Sequence, residues 1–429
     1  MNLRSAAAEV HLTVRRREER GGRSPFFLMV GAGISSPPIP LASQIELACR
    51  AEAEKQNRWT AAPSGASALE QYSHSFDCAY SQRGERQRYL RDLMGGKPIS
   101  PANFRLAHLL LGKKLFRIVV TTNFDDLLAR ALTLFGSPPI VCDHPLLLER
   151  FDDESDDIQI VHLHGSLWFY DCCNLKGEMA GRAADSDPTR PTMLTMLANL
   201  LEHHSPIVAG YSGWDGDVFM TALHRRLVSR PLATNLYWFC YTRAEANELP
   251  PWLQDHSNVR IVLPPKAARE GTRPDEAHMS VETSEPVLDA GTVFSELIKF
   301  FKPGDLPLID NPIEFFEKHL RDSLLIHDDP TVPDPYSLRS VIEKVQKAAK
   351  GAARPDAVEK QLEEFRNAVR SAQHREAIRL GGSLPLAAFS PEQRREVFGL
   401  LTNLSAALDA SPADQIAACD LIVAVGDTL

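Results

Sequence analysis

In four places along the chain an apolar run gives way at once to small polar or ionisable residues. Phe26-Phe-Leu-Met-Val30 meets Gly31-Ala-Gly-Ile-Ser35, and Arg117-Ile-Val-Val-Thr121 meets Thr122-Asn-Phe-Asp-Asp126. Val161 leads into His162-Leu-His-Gly-Ser166, and Pro206-Ile-Val-Ala209 leads into Gly210-Tyr-Ser-Gly-Trp-Asp-Gly-Asp217. Carboxamides, carboxylates and imidazoles position water and move protons. Paired glycines let backbone N–H groups approach a phosphate closely. Each stretch also has a purely structural alternative. Thr122 or Asn123 could cap a following helix. Gly31 and Gly33 could form only a tight turn, since Ser36 stands where a third glycine of G-x-G-x-x-G would be and Pro37-Pro-Ile-Pro40 delays any helix. His162 and His164 share a face if both lie on a strand; His162 is read as structural, and a metal is not expected because no third ligand is nearby. Asp215 or Asp217 could cap a helix at Val218–Val228, with Asp217 a cap only.

The elements that would position these groups are short apolar runs alternating with helical patterns from residue 26 to about 302, as in a parallel sheet covered by helices. The expected strands are Phe26–Val30, Arg117–Thr121, Pro139–Cys142, Ile158–Leu163, Pro206–Tyr211, Leu236–Tyr241 and Val259–Leu263. In such sheets the carboxyl ends of the strands are where ligands bind. Residues 42–113 are too long for one crossover; they are expected to fold as an inserted helical subdomain over the cleft, with helices at Ser43–Lys55, Ser67–Arg83, Glu85–Met94 and Pro101–Lys113. Asp171–Pro191 and Pro265–Pro286 lack a period and are expected to be surface loops, the first a lid. Gly291–Phe301 closes the sheet domain as an amphipathic helix. The fold class is thus α/β, a Rossmann-like parallel sheet with helices on both faces, over residues 1–303.

From 304 to 429 the pattern is helical throughout. Asn311-Pro-Ile-Glu314, Ser390-Pro-Glu-Gln393 and Ser411-Pro-Ala-Asp414 are helix-start signals, and His327–Pro335 is expected to be a linker. Val358, Leu362, Phe365, Val369 and Ala372, and likewise Val397, Leu401, Leu404 and Leu408, recur at heptad-like spacing. They fit either a domain packed on itself or a module for oligomerisation or partner docking.

A formal net charge of −9 gives no global field for nucleic acid. The arginines of Val14–Arg23 are expected at a solvated helix end, and Asp152–Asp157 in a solvated loop. Seven scattered cysteines without a Cys-x-x-Cys pair argue for a reducing compartment and against a zinc site. No apolar run is long enough to span a membrane, so a cytoplasmic location is expected. Hydride transfer is disfavoured, because no second strand ending in an acid follows the glycine loop.

Taken in order, Gly-Ala-Gly-Ile-Ser at 31–35, Thr-Thr-Asn-Phe-Asp at 121–125, Leu-His-Gly at 163–165 and Gly-Tyr-Ser at 210–212 resemble the sirtuin-like domain. The likeness spans roughly residues 20–302 and is greatest to the bacterial branch of anti-phage defence systems, whose members hydrolyse NAD+. Two departures matter: Thr-Thr-Asn-Phe-Asp stands where protein-deacylating sirtuins have Thr-Gln-Asn-Ile-Asp, and the paired Cys-x-x-Cys zinc module is missing. The resemblance implies that Gly31, Ala32, Gly33 and Ser35 hold the NAD+ pyrophosphate. It further implies that Asn123 binds the nicotinamide ribose and positions water, Asp125 meets the nicotinamide carboxamide, His164 is the general base, and Gly210 and Ser212 lie near the adenosine half. It implies no metal, a gated activity, a homo-oligomer, and a separate sensor such as a HerA-class hexameric ATPase, since no Walker motif is present.

Overall fold

The computed structural model describes residues 1–168, 174–185, 191–266, 286–324, 333–334, 337–351, 357–407 and 410–426. They form two compact units, Met1–Pro303 and Gly304–Leu429. In the first, β1 (Phe26–Val30), β2 (Ile118–Thr121), β3 (Ile140–Cys142), β4 (Gln159–His162), β5 (Ser205–Ala209), β6 (Leu236–Phe239) and β7 (Val259–Val262) pair in parallel as one seven-stranded sheet. The order is β3-β4-β2-β1-β5-β6-β7. Six of the seven strands lie within the apolar runs that predict them, β1 over its full length, while β5 begins one residue before its run, at Ser205.

The helices of this unit are α1 (Leu3–Glu18), α2 (Ala42–Lys55), α3 (Ala68–Ala79), α4 (Arg83–Met94), α5 (Pro101–Leu111), α6 (Leu127–Leu134), α7 (Lys176–Ala184), α8 (Met193–His203), α9 (Val218–Ser229), α10 (Arg243–Glu248), α11 (Pro251–Gln254) and α12 (Ala290–Phe301). Strand side chains alternate between the sheet's faces. Phe27, Met29, Val120, Val161, Val208 and Trp238 pack with Leu197 and Leu201 of α8 and Phe219 and Leu223 of α9. The opposite face is covered by α1, α5 and α12, with α12 contacting both of the others and Glu9 of α1 accepting from the Tyr237 hydroxyl at 3.2 Å. Both faces are therefore dry, which is why these strands are continuous apolar runs and not alternating ones. Burying each large side chain contributes about 1.5–3 kcal/mol.

Two expectations change here. Of the insert, only α2, α3 and α4 form a separate core, built on Ile45, Cys49, Tyr72, Phe76 and Leu90. Helix α5 instead packs on α6 and α12 and is the crossover helix between β1 and β2. The small core also takes in Phe124 and Leu127 after β2, Leu167 after β4, and Trp214 after β5, so the insert rests on the carboxyl ends of three strands. Secondly, the part of 171–191 that is described is not a loop: Lys176–Ala184 is helical, with Met179 and Ala183 buried. Glu178 on that helix pairs with Arg86 of α4 at 2.9 Å. Residues 171–173, 186–190, most of Pro265–Pro286 and most of the linker 327–335 lie outside the described residues.

The basic and acidic stretches are partly spent on each other, Arg23 and Arg117 reaching Asp156 at 3.1 and 3.2 Å. Among the described residues no helix is long and apolar enough to cross a membrane.

The second unit contains α13 (Pro307–Asp310), α14 (Pro312–Ser323), α15 (Leu338–Gly351), α16 (Ala357–Arg370), α17 (His374–Ser383), α18 (Pro391–Ser405) and α19 (Pro412–Gly426). The caps fall where the sequence puts them: Asn311, Ser390 and Ser411 accept from the N–H groups of Glu314, Gln393 and Asp414. Leu362, Phe365, Val397, Leu401 and Leu404 are buried together, and Val369 packs against them. These heptad-like positions are thus consumed by packing within the unit; Leu408 and the side chain of Val358 lie outside the described residues.

Candidate active site

The chain leaves β1 toward β2 on one side, while β5 on the other side leads away to β6. Loops that diverge like this leave a crevice at the strands' carboxyl ends. Across it, Gly31 and Gly33 meet Gly210. A Cβ on Gly31 would sit 2.7 Å from the Gly210 carbonyl oxygen and 2.9 Å from Tyr211 Cα, and one on Gly33 would sit 2.8 Å from Gly210 Cα. Gly210 has φ +64°, and Gly33 N–H donates to its carbonyl at 3.0 Å. To the sequence reading that these glycines make room for a phosphate, the packing adds a second cause. What they admit is the neighbouring backbone, and the Gly33 N–H is already used. Ala32 lies exposed at the start of a short 3₁₀ turn, Ala32–Ile34, with no α-helix immediately behind it.

Ser35 follows that turn, fully buried, and is the hub of a polar network. Its hydroxyl donates to Asp125 Oδ2 at 2.8 Å and accepts from Asn123 Nδ2 at 3.1 Å and Asn103 Nδ2 at 3.3 Å. Because Ser35 gives its only proton to Asp125, Asn123 must present its NH₂ to Ser35. Its Oδ1 is then turned away from the network, available to orient water or a hydroxyl. The Asn123 backbone is held too: its carbonyl accepts from His162 Nδ1 at 2.6 Å and its N–H donates to Thr121 Oγ1 at 3.0 Å.

Asp125 is buried, and its Oδ1 accepts from Leu127 N–H at 3.1 Å. The first turn of α6 is therefore satisfied by Asp125; neither Thr122 nor Asn123 is the cap, and Asp126, at the cap position, makes no side-chain cap bond. Instead Asp126 accepts from Trp168 Nε1 at 3.1 Å. Burial pushes the Asp125 carboxyl above its ordinary range, against the hydrogen bonds from Ser35 and Leu127 and the nearby His162.

The two histidines part company, since β4 ends at His162. His164 is 1% exposed, and its Nε2 lies 3.2 Å from Asp217 Oδ1, within ion-pair distance but off the line of a well-formed hydrogen bond. Among the described residues neither ring nitrogen has a hydrogen-bond partner. Asp217 does cap α9, accepting from Phe219 N–H at 3.1 Å, but its other oxygen accepts from the Tyr211 hydroxyl at 2.6 Å. The expectation that it is only a cap is thus corrected. Burial acts to raise the Asp217 carboxyl, yet His164, Tyr211 and the Phe219 N–H together hold it below its ordinary value. Ser212 is exposed just after β5.

The structure thus gathers Asn123, Asp125 and Ser35 into one bonded network beside the Gly31–Gly210 contact, and sets His164 in a second cluster with Asp217 and Tyr211. Ser100 and Asn103 were not foreseen. Both are buried on the first turn of α5, and both donate to the Ile34 carbonyl, Asn103 at 3.1 Å. Ser100 is legible as a cap before Pro101, but nothing in local sequence says that an asparagine three residues on reaches back to the glycine loop.

Residues 117–262 match the model of the SIR2-like domain. SIR2-like domains use NAD+. The match contains Asn123, Asp125, His164, Gly210 and Ser212; Gly31–Ser35 and the helical insert precede it. No curated protein sequence matches the chain. Among the described residues no group of three His, Cys, Asp or Glu side chains is placed to hold a metal ion.

Proposed function

We propose that this chain hydrolyses NAD+ to nicotinamide and ADP-ribose, as the effector of an anti-phage defence system whose activity is gated by assembly or by a partner. The observation that carries the chemistry is the oriented Asn123 carboxamide, pinned through Nδ2 to Ser35, in a SIR2-like domain that also buries a histidine without hydrogen-bond partners among the described residues.

Nicotinamide in NAD+ is already cationic and departs as a neutral molecule, so no general acid is required. The developing positive charge on the ribose is stabilised by fixed dipoles and carboxylates in a water-poor crevice. In this reading Asn123 Oδ1 orients the ribose hydroxyl or the attacking water, and His164 takes the water's proton. Asp125 faces the carboxamide of nicotinamide. The exposed Ala32 and Ser212, on either side of the Gly31–Gly210 contact, flank the dinucleotide's path, and Ser35 acts by holding Asn123 and Asp125 in place. The absence of a Cys-x-x-Cys pair from these residues supports water over acyl-lysine as the nucleophile.

Uncontrolled NAD+ hydrolysis would kill the host cell, and this is the ground for gating. The second unit is proposed as its carrier, through a homo-oligomer or a separate HerA-class ATPase, in the cytoplasm. The test is nicotinamide release by the purified full-length protein, with and without the product of the neighbouring gene. Release in step with free ADP-ribose, independent of any acetylated peptide, is the expected result. Peptide-dependent release makes the protein a deacylase, and NAD+ binding without turnover makes it a regulator.

A further inference from the structure

We infer that Asp217 is the positioning residue of His164: it keeps the imidazole proton on Nε2 and leaves Nδ1 as the atom that accepts a proton. The inference rests on the reading of His164 as the base.

Capping alone does not account for this carboxylate. Asp289 caps α12 through the same kind of bond, to Thr292 N–H at 2.9 Å, and stays half-exposed. Asp217 is 2% exposed. A buried carboxylate is costly unless charge or hydrogen bonds face it, and those that do are the Tyr211 hydroxyl at 2.6 Å, the Phe219 N–H at 3.1 Å and His164 Nε2 at 3.2 Å. The Tyr211 proton is committed to Oδ2, so the oxygen facing the ring is Oδ1, which can only accept. A carboxylate facing one ring nitrogen selects the tautomer protonated there, and among the described residues His164 has no competing partner at Nδ1. In the reaction, water's oxygen bonds to the ribose C1′ while the C1′–N bond breaks, its electron pair leaving with nicotinamide. The water's proton passes to Nδ1, and Asp217 offsets the charge of the imidazolium that results.

Full-length protein labelled with ¹⁵N in histidine, the His164 signals being those lost in His164→Gln, tests this directly. Near neutral pH wild type is expected to show a protonated Nε2 and a bare Nδ1, and Asp217→Ala, which removes the oxygen that faces Nε2, is expected to move the proton toward Nδ1. Nicotinamide release by Asp217→Asn should lose about 10²-fold or more in kcat with little change in KM. Tyr211→Phe, which leaves the charge facing Nε2, should lose less in kcat than Asp217→Asn. A His164 spectrum unchanged by Asp217→Ala, or a wild-type ring already protonated on Nδ1, overturns the inference. If wild type releases no nicotinamide under any condition, the functional reading fails on its own, and the spectrum still decides the tautomer.

Discussion

Replacing Gly31 with alanine puts a methyl group 2.7 Å from the Gly210 carbonyl oxygen and 2.9 Å from Tyr211 Cα. Ordinary contact begins at 3.4 Å, so the nearer atom is about 0.7 Å too close. Both obstructing atoms are backbone, and no side-chain rotation relieves them. The loops after β1 and β5 must part by most of that distance, straining the Gly33–Gly210 hydrogen bond. Overpacking of this kind costs about 1–3 kcal/mol. The same displacement moves the loop leading to Ser35, and through it Asn123; a misplacement on the order of 1 Å costs about 10²-fold in rate. Gly31→Ala is therefore expected to lower the urea midpoint and to reduce nicotinamide release more than its stability loss explains. Gly181→Ala is the control: it lies within α7 with open space around it, and should gain about 0.5–1 kcal/mol without altering turnover. If Gly31→Ala kept wild-type midpoint and rate, the backbone contact would not be organising the crevice.

Asn103→Ala removes the Nδ2 bonds to Ile34 and Ser35; a loss of about 1–3 kcal/mol is expected in urea titration, with nicotinamide release reduced although Asn103 is read as touching no substrate. Unchanged turnover would separate α5 from the site. Burial raises the Asp125 carboxyl, so the folded state favours its protonated form. The cost of charging it appears as pH rises from the ordinary value of 3.8 through the raised one. The stability of Asp125→Asn relative to wild type should therefore grow as pH rises above 3.8, while activity falls. A pH-independent difference would contradict this.

The sheet was legible because both its faces are covered: apolar runs of four to six residues bounded by turn signals admit few other readings. The gathering of the four polar strand ends along one edge followed from the rule that ligands bind at carboxyl ends. Other features depend on contacts between residues distant in sequence. The glycines at 31 and 33 look alike whether a phosphate or another loop approaches them, and only the packed sheet shows that Gly210 does. Asp217 looks like a cap because it is one; its second oxygen and the ring beside it belong to segments fifty residues apart. Asn103 sits on what the pattern reads as an insert helix, and its role emerges only once α5 is seen as the β1–β2 crossover. The helix at 176–184 was missed because its short polar sequence shows no clear period, its burial resting on Met179 and Ala183.

The central claim is tested most directly by NAD+ consumption, with wild type compared with the Asn123→Ala, His164→Ala double variant, alone and with the neighbouring gene's product. The account predicts equal molar nicotinamide and ADP-ribose from wild type, and loss of both from a double variant that unfolds at the wild-type urea midpoint. A folded double variant that consumes NAD+ at the wild-type rate would contradict it.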